Sequence, residues 1–256
     1  MRRVMLCAAA LTLACGGKDQ GAASNGAAQP SADAPKGTGP TGNATISGVA
    51  RFTGTVPANP AIDMSQEAAC KSKYTGTPTD PEYVIADGKV GNVFVYVKSG
   101  LPAGATYTPP GTAVVIDQDG CLYHPRVFGV MVGQKIEIKN SDPLLHNIKA
   151  VPTKNRGFNI SQPTQGMTTT RTFATEEVMV PLQCNVHSWM TAHVGVLSHP
   201  FFSTSGKDGS FTITNLPPGT YEIEAWHEKL GTQKSTVTVG AGETKTTDFT
   251  FSAPKA

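Results

Sequence analysis

The chain has 256 residues, with 21 Lys and Arg against 19 Asp and Glu, and it carries 27 Gly, 19 Pro and only 7% aromatic residues. That mixture points to an ordered, turn-rich protein with irregular ends rather than a helical bundle. It also excludes the dense basic surface that nucleic-acid binding requires, and it implies no strongly steered partner of opposite charge.

In chain order, Arg2 and Arg3 form a short basic start and residues 4–14 are apolar and uncharged. The run is too short to cross a bilayer as a helix and reads as an export signal, with small Ala14 before Cys15. Leu11-Thr12-Leu13-Ala14-Cys15 resembles a bacterial lipobox, with Thr12 where Leu is usual. The resemblance implies lipidation of Cys15 and a protein anchored to a membrane outside the cytoplasm, and Gly16 resembles an outer-membrane sorting cue. Ordinary secretion, with Cys15 incidental, is the alternative. Removing Arg2 and Arg3 leaves 19 basic against 19 acidic residues, a near-neutral mature chain. Residues 16–43 have no large apolar side chain to offset the entropy of folding, so they read as a flexible linker.

From Ala44 onward the hydrophobic period is two, the signature of strands. Ile46-Ser47-Gly48-Val49-Ala50-Arg51-Phe52 opens a β region over residues 44–111. A short helix is expected over residues 63–71, with Asp63 as its N-cap and Gln66 three residues on. Val93-Phe94-Val95-Tyr96-Val97 is apolar on both faces, as an interior strand would be. Further alternating runs are Lys135-Ile136-Glu137-Ile138-Lys139, Phe211-Thr212-Ile213, Tyr221-Glu222-Ile223-Glu224-Ala225, and Phe249 with Phe251. Asp119-Gly120, Asp208-Gly209 and Pro217-Pro218-Gly219 supply turns between them. The fold class is therefore all-β, built of sandwiches.

Cys184-Asn185-Val186-His187-Ser188-Trp189-Met190 places a thiol, an imidazole and a thioether on one loop between a strand-like segment at residues 178–182 and another at residues 194–197. His146, in Ser141-Asp142-Pro143-Leu144-Leu145-His146-Asn147, follows the alternating strand that ends at Asn140. Two His and one Cys with a weakly held Met make up the donor set of a blue-copper electron-transfer centre. A metal-free relic or another metal is the competing reading, although zinc sites use other donor sets.

The Cys-x2-His-x2-Met spacing and the His146-Asn147 pair resemble the cupredoxin family, in its plastocyanin and amicyanin branch. Residues 129–140 are similar to the strand that precedes the first histidine in that family. The resemblance spans about residues 112–198, within a domain set at 112–200. It implies a Greek-key β-sandwich holding one copper ion through His146 and His187 Nδ1, Cys184 sulfur and axial Met190. Asn147 would tie the two ligand loops together by hydrogen bonds without touching the metal. The strand before Cys184 lacks the family's usual Gly and aromatic pattern, and Pro181 predicts that it lies at an edge or carries a bulge.

The other histidines read as structural. His193 alternates with inward-facing neighbours and is expected to face solvent, His199 sits at a domain junction, and His124 and His227 have no partners at ligand spacing. No His-x-His pair suggests a trinuclear copper cluster. There is no Gly-x-Ser-x-Gly elbow, and His227-Glu228 lacks the rest of a zincin motif, so no enzyme is indicated. Cys70 and Cys121, in an exported compartment, read as a disulfide. Two buried thiols, or a second metal site with His124, are the alternatives.

The segment at 201–254 resembles a carboxypeptidase regulatory-like, transthyretin-like sandwich through Asp208-Gly209-Ser210-Phe211 and Leu216-Pro217-Pro218-Gly219-Thr220-Tyr221. Such domains begin with a strand like that at residues 46–52, so residues 44–58 are expected to be its first strand and the cupredoxin an insertion. Three functions compete: one-electron transfer between redox protein partners with an exit at the His187 edge and Trp189, copper carriage, and a surface scaffold with a vestigial site.

Overall fold

Residues 39–253 are described by a computed structural model. The lipobox with Cys15, Cys7 and most of the linker lie outside the described residues. The order is β1 (Ala44–Thr53), α1 (Ala68–Lys71), β2 (Ile85–Ala86), β3 (Lys89–Val90), β4 (Phe94–Ser99), β5 (Val114–Asp119), β6 (Leu122–His124), β7 (Val127–Met131), β8 (Ile136–Asn140), β9 (His146–Ala150), β10 (Phe158–Gln162), β11 (Thr168–Arg171), β12 (Glu177–Gln183), β13 (Thr191–Leu197), β14 (Phe202–Thr204), β15 (Ser210–Leu216), β16 (Gly219–His227), β17 (Gly231–Val239), β18 (Thr244–Thr246) and β19 (Phe249–Ser252). The strands sort into two sandwiches. Among the described residues no helix is long and apolar enough to cross a membrane.

The first sandwich pairs the sheet β10-β9-β12-β13-β7 with the sheet β11-β8-β5-β6. Alternation puts Ile136 and Ile138 of β8 inward, where they meet Ile116, Phe128, Ile148, Val180, Leu182 and Val194. β12 is interior, between β9 and β13, and not an edge strand. Its irregularity falls between Glu177 and Val180, where Met179 has φ 63°. Pro181 is accommodated because the ladder to β9 begins only at Leu182, while the Pro181 carbonyl accepts the Val151 N–H at 3.0 Å.

The second sandwich uses both ends of the described chain. β1 runs antiparallel to β15, with Ile46 opposite Ile213 and Gly48 opposite Phe211, and parallel to β18 and β19. The facing sheet is β14-β4-β16-β17. Order starts a little before Ala44: the Gly42 N–H donates to the Asn215 carbonyl at 2.9 Å and Asn43 Oδ1 accepts from the Gly242 N–H at 2.7 Å.

β4 explains its own doubly apolar sequence. Val93, Val95 and Val97 face the core of the second sandwich, while Phe94 and Tyr96 face the first. Gly129 of β7 lies opposite Gly195 of β13. A Cβ on Gly129 would come within 2.4 Å of the Phe202 ring, and one on Gly195 within 2.5 Å of the Phe94 ring. This glycine pair is thus the hollow that receives two aromatic rings of the other sandwich. Arg126, also buried, completes the joint through a two-pronged pair with Glu228 and a further bond to Asp80.

His193 is half-buried and not freely solvent-facing. Its ring packs 5.1 Å from Trp226 across this joint, because β16 covers the outward face of β13. His227 is buried nearby, and its Nδ1 accepts the N–H groups of Lys229 and Leu230, each at 3.2 Å. Burial and the neighbouring Arg126 charge push both imidazoles down to about 4. His199 is also buried, with its Nδ1 accepting the Phe201 N–H at 3.2 Å, whereas His124 stays exposed.

The expected helix at 63–71 shrinks to the four residues of α1. Asp63 Oδ1 accepts the Ser65 N–H at 2.9 Å and so closes a turn instead of capping the helix. Residues 54–84 form a strap that leaves the second sandwich and lays Ile62, Met64 and Cys70 into the core of the first. Cys70 and Cys121 are bridged, with Cα atoms 5.6 Å apart. Closing a loop of that length restricts the unfolded chain by about 4 kcal/mol on the chain-entropy view. Lys73 pairs with Asp119 and Asp142, both at 2.5 Å, and Tyr74 donates to the Gly120 carbonyl at 2.6 Å.

Arg126→Ala is expected to lower unfolding free energy by about 3–5 kcal/mol in urea melts, since it strands two buried carboxylates. A loss no larger than that of an exposed Arg→Ala control would contradict the clamp. The two neutral histidines take up protons more readily when unfolded. Stability is therefore complete above roughly pH 6.5 and falls as pH drops toward about 4, which thermal melts across that range should register. The double variant His193→Phe with His227→Phe should flatten that slope.

Candidate metal centre

The site sits at one end of the first sandwich, where the β8–β9 loop meets the β12–β13 loop. His146 opens β9, Cys184 follows β12, and His187 and Met190 complete the second loop. All four are buried. The loop closes on itself because the Cys184 N–H donates to the Met190 carbonyl at 3.2 Å and the Met190 N–H donates to the His187 carbonyl at 2.9 Å. Cys184 Sγ accepts the N–H groups of Val186 at 3.4 Å and His187 at 3.3 Å.

His146 Nδ1 and His187 Nδ1 lie 3.0 Å apart, and Cys184 Sγ lies 4.0 Å from His187 Nδ1. The donor atoms of the three residues all fall within 4.8 Å of one another. Burial alone would raise the Cys184 thiol, but hydrogen bonds from the two histidine side chains and from the His187 and Val186 N–H groups hold it at about 5. A thiolate at neutral pH is the form that binds a metal.

Asn147 joins the two ligand loops. Its Oδ1 accepts the Asn185 N–H at 3.1 Å, and its Nδ2 donates to Asn159 Oδ1 at 2.7 Å and the Ile160 carbonyl at 2.9 Å. Asn140 shapes the approach to His146 by donating to the Leu144 and Gln162 carbonyls, both at 2.9 Å. Tyr123, buried beneath, donates to the Asn147 carbonyl.

Sequence reasoning missed Asp142. Its carboxylate is fully buried, 2.8 Å from His146 Nε2, and accepts the Gly120 and Cys121 N–H groups at 3.0 and 2.8 Å. Burial works against the charged form, but bonds from His146, Lys73, Cys121 and Gly120 hold it well below the usual carboxylate range. This bond assigns the proton to His146 Nε2 and leaves the Nδ1 lone pair facing the site. The position four residues before His146 was visible in the sequence; its burial was not. Burial lowers the proton affinity of His146, yet Asp142 and Cys184 together raise it above the ordinary value.

The structure also closes the expected exit. His187 is only 1% exposed, because the strap covers it with Glu67 Oε1 3.8 Å from Nε2. Half-buried Trp189 packs with its ring 5.2 Å from and tilted 44° to the His187 ring, and donates Nε1–H to the Cys121 carbonyl at 2.9 Å. Leu145 and Val186, each beside a histidine of the set, remain exposed.

Residues 191–252 match the sequence model of the carboxypeptidase regulatory-like domain family. The match begins ten residues earlier than the sequence boundary at 201 and takes in β13, which pairs within the first sandwich. Among solved structures, the chain is similar to an amicyanin variant in its Cu(I) state, at 20% identity over 41% of this chain and 98% of that one, TM-score 0.30. It is similar to a purple cupredoxin from Nitrosopumilus maritimus, at 21% identity over 32% of this chain and 98% of that one, TM-score 0.29. It is also similar to the copper-containing nitrite reductase of Thermus scotoductus, at 19% identity over 38% of this chain, TM-score 0.30, and spans 25% of that enzyme's length. No curated protein matches the chain.

In metal-free protein the ultraviolet thiolate band should show a step with its midpoint near pH 5. Cys184→Ser should remove that step, and a step that survives the substitution would place the low-pKa thiol elsewhere.

Proposed function

We propose that the chain binds one type 1 copper ion through His146, Cys184, His187 and Met190 and carries single electrons between redox proteins outside the cytoplasm, without catalysing a reaction of its own. The observation that carries this reading is the convergence of two imidazole Nδ1 atoms and a low-pKa sulfur in one buried pocket. Two imidazole nitrogens facing each other at 3.0 Å repel unless a cation or proton stands between them, so the donor set suits a metal. Copper held there would supply a one-electron couple between Cu(I) and Cu(II).

The protein's own residues do the rest. Asp142 fixes the tautomer and orientation of His146, and Asn147 locks the two loops to each other, which limits rearrangement when the ion's charge changes. The strap excludes water from the outer edge of His187. Electrons then pass by way of Trp189, or across the exposed rim at Leu145 and Val186, where a partner would dock. Burial of all the donors favours this over a copper carrier, which must offer its ligands to a recipient. The carboxypeptidase regulatory-like sandwich holds the copper sandwich in place, and a lipid at Cys15 would tether both to the outer membrane.

Adding Cu(II) to purified protein should produce an intense visible thiolate-to-copper band and a reversible couple. Cys184→Ser should abolish the band; colour that persisted would refute the ligand set. Asp142→Asn should weaken Cu(II) affinity about 10–100-fold by competition assay. An unchanged affinity would show that Asp142 does not orient His146 for the metal.

A further inference from the structure

Cys70 and Cys121 lie outside the four-donor set, yet their sulfurs stand beside it. Cys70 Sγ, a ring nitrogen of His187 and a carboxylate oxygen of Glu67 fall within 4.8 Å of one another. Cys121 Sγ, a ring nitrogen of His146 and a carboxylate oxygen of Asp142 form a second such group. The disulfide thus lies beside both histidines, Cys70 next to His187 and Cys121 next to His146.

The two imidazoles are not equivalent on that side. His146 Nε2 is engaged by Asp142 at 2.8 Å. His187 Nε2 is buried and has no hydrogen-bond partner among the described residues, and Glu67 at 3.8 Å is beyond hydrogen-bond reach. Leaving such a group unpaired costs about 1–3 kcal/mol, and of the unpaired buried imidazole nitrogens, which include His193 Nδ1 and His227 Nε2, this one belongs to a ring grouped with a cysteine sulfur.

We propose that opening the Cys70–Cys121 disulfide creates a second metal site, in which the two thiolates and His187 Nε2 bind Cu(I). A dithiol reductant gives two electrons and two protons to the disulfide and becomes a disulfide itself; each cysteine then releases its proton to solvent as the ion binds, and when the first site is also filled His187 releases its remaining N–H proton to solvent and bridges the two ions as imidazolate. Paired soft thiolates select Cu(I) over harder ions, and one imidazole completes a three-coordinate set. The 5.6 Å Cα separation lets the two sulfurs bracket one ion by side-chain rotation. His187 belongs to both sites, Nδ1 to the first and Nε2 to the second. The metal capacity of the protein therefore follows its thiol state: one ion when oxidised, two when reduced. The second site does not need the first to be filled, so the two can fail separately.

The test uses the full chain with Cys7→Ser and Cys15→Ser, to remove the other thiols, and Cys184→Ser, to remove the first site. It is titrated anaerobically with Cu(I) against bicinchoninate, before reduction and after reduction with dithiothreitol and desalting. The oxidised chain should hold no Cu(I), and the reduced chain, checked as folded by circular dichroism, should hold one ion. His187→Ala should then weaken the reduced chain's affinity about tenfold or more. A folded, reduced chain that holds no ion, or one whose affinity ignores His187→Ala, overturns the proposal. Should reduction unfold that variant, the reduced chain with Cys184 restored is alkylated without Cu(I) and with more than two equivalents of Cu(I), enough to fill both sites. Protection of Cys70 and Cys121 supports the site, and equal labelling overturns it. Failure of the oxidised natural chain to turn blue with Cu(II) would sink the first site and leave this one standing.

Discussion

A single buried carboxylate organises the end of the first sandwich where His146, Cys184 and His187 meet. Asp142 receives an ammonium from the strap, two backbone N–H groups from the β5–β6 turn, and an imidazole N–H from the ligand loop. Each of these segments comes from a different part of the chain, and none has another charged anchor in the interior at this point. An ionised group without water survives only when donors surround it, so the carboxylate holds the segments together and depends on them in turn. The tautomer of His146, the seat of the strap and the shape of the turn carrying Cys121 are one linked arrangement.

The joint between the sandwiches follows a different logic, that of shape. Two strands give up side chains at Gly129 and Gly195 so that Phe94 and Phe202 can enter, and Arg126 seals one side with two acidic partners. Interiors pack at crystal-like density, so a hollow matched to two rings fixes the relative placement of the sheets better than flat apolar contact would. The carboxypeptidase regulatory-like sandwich is therefore a rigid mount and not a loosely tethered neighbour.

Much of this was legible in the sequence because it depends on local chemistry. Strand periodicity marked β1, β8, β15, β16 and β19, and the spacing of Cys184, His187 and Met190 marked a loop whose donors face inward together. What was not legible depends on long-range covering. His193 sits on the outward face of β13 and would meet water in an isolated sandwich; only the arrival of Trp226 covers it. His187 likewise lies where the first sandwich alone would be open, and the strap that hides it has no periodic pattern to announce its destination. Asp63 bears a capping sequence but closes a turn, because Cys70 must reach Cys121 and that draws the segment out of helical shape.

The placement of β1 has a consequence for how the chain folds. Three of its neighbours, β15, β18 and β19, lie far along the chain, and only β3 is near it in sequence. The stretch between β5 and β13 is continuous and can close upon itself much sooner. The inserted sandwich is thus built from one continuous stretch plus the strap, whereas the outer one closes only through contacts between segments far apart in the chain. Loss of β18 and β19 would accordingly strip β1 of its parallel partners, leaving it held by β15 and a single bridge to β3, with freed backbone groups open to association with other chains.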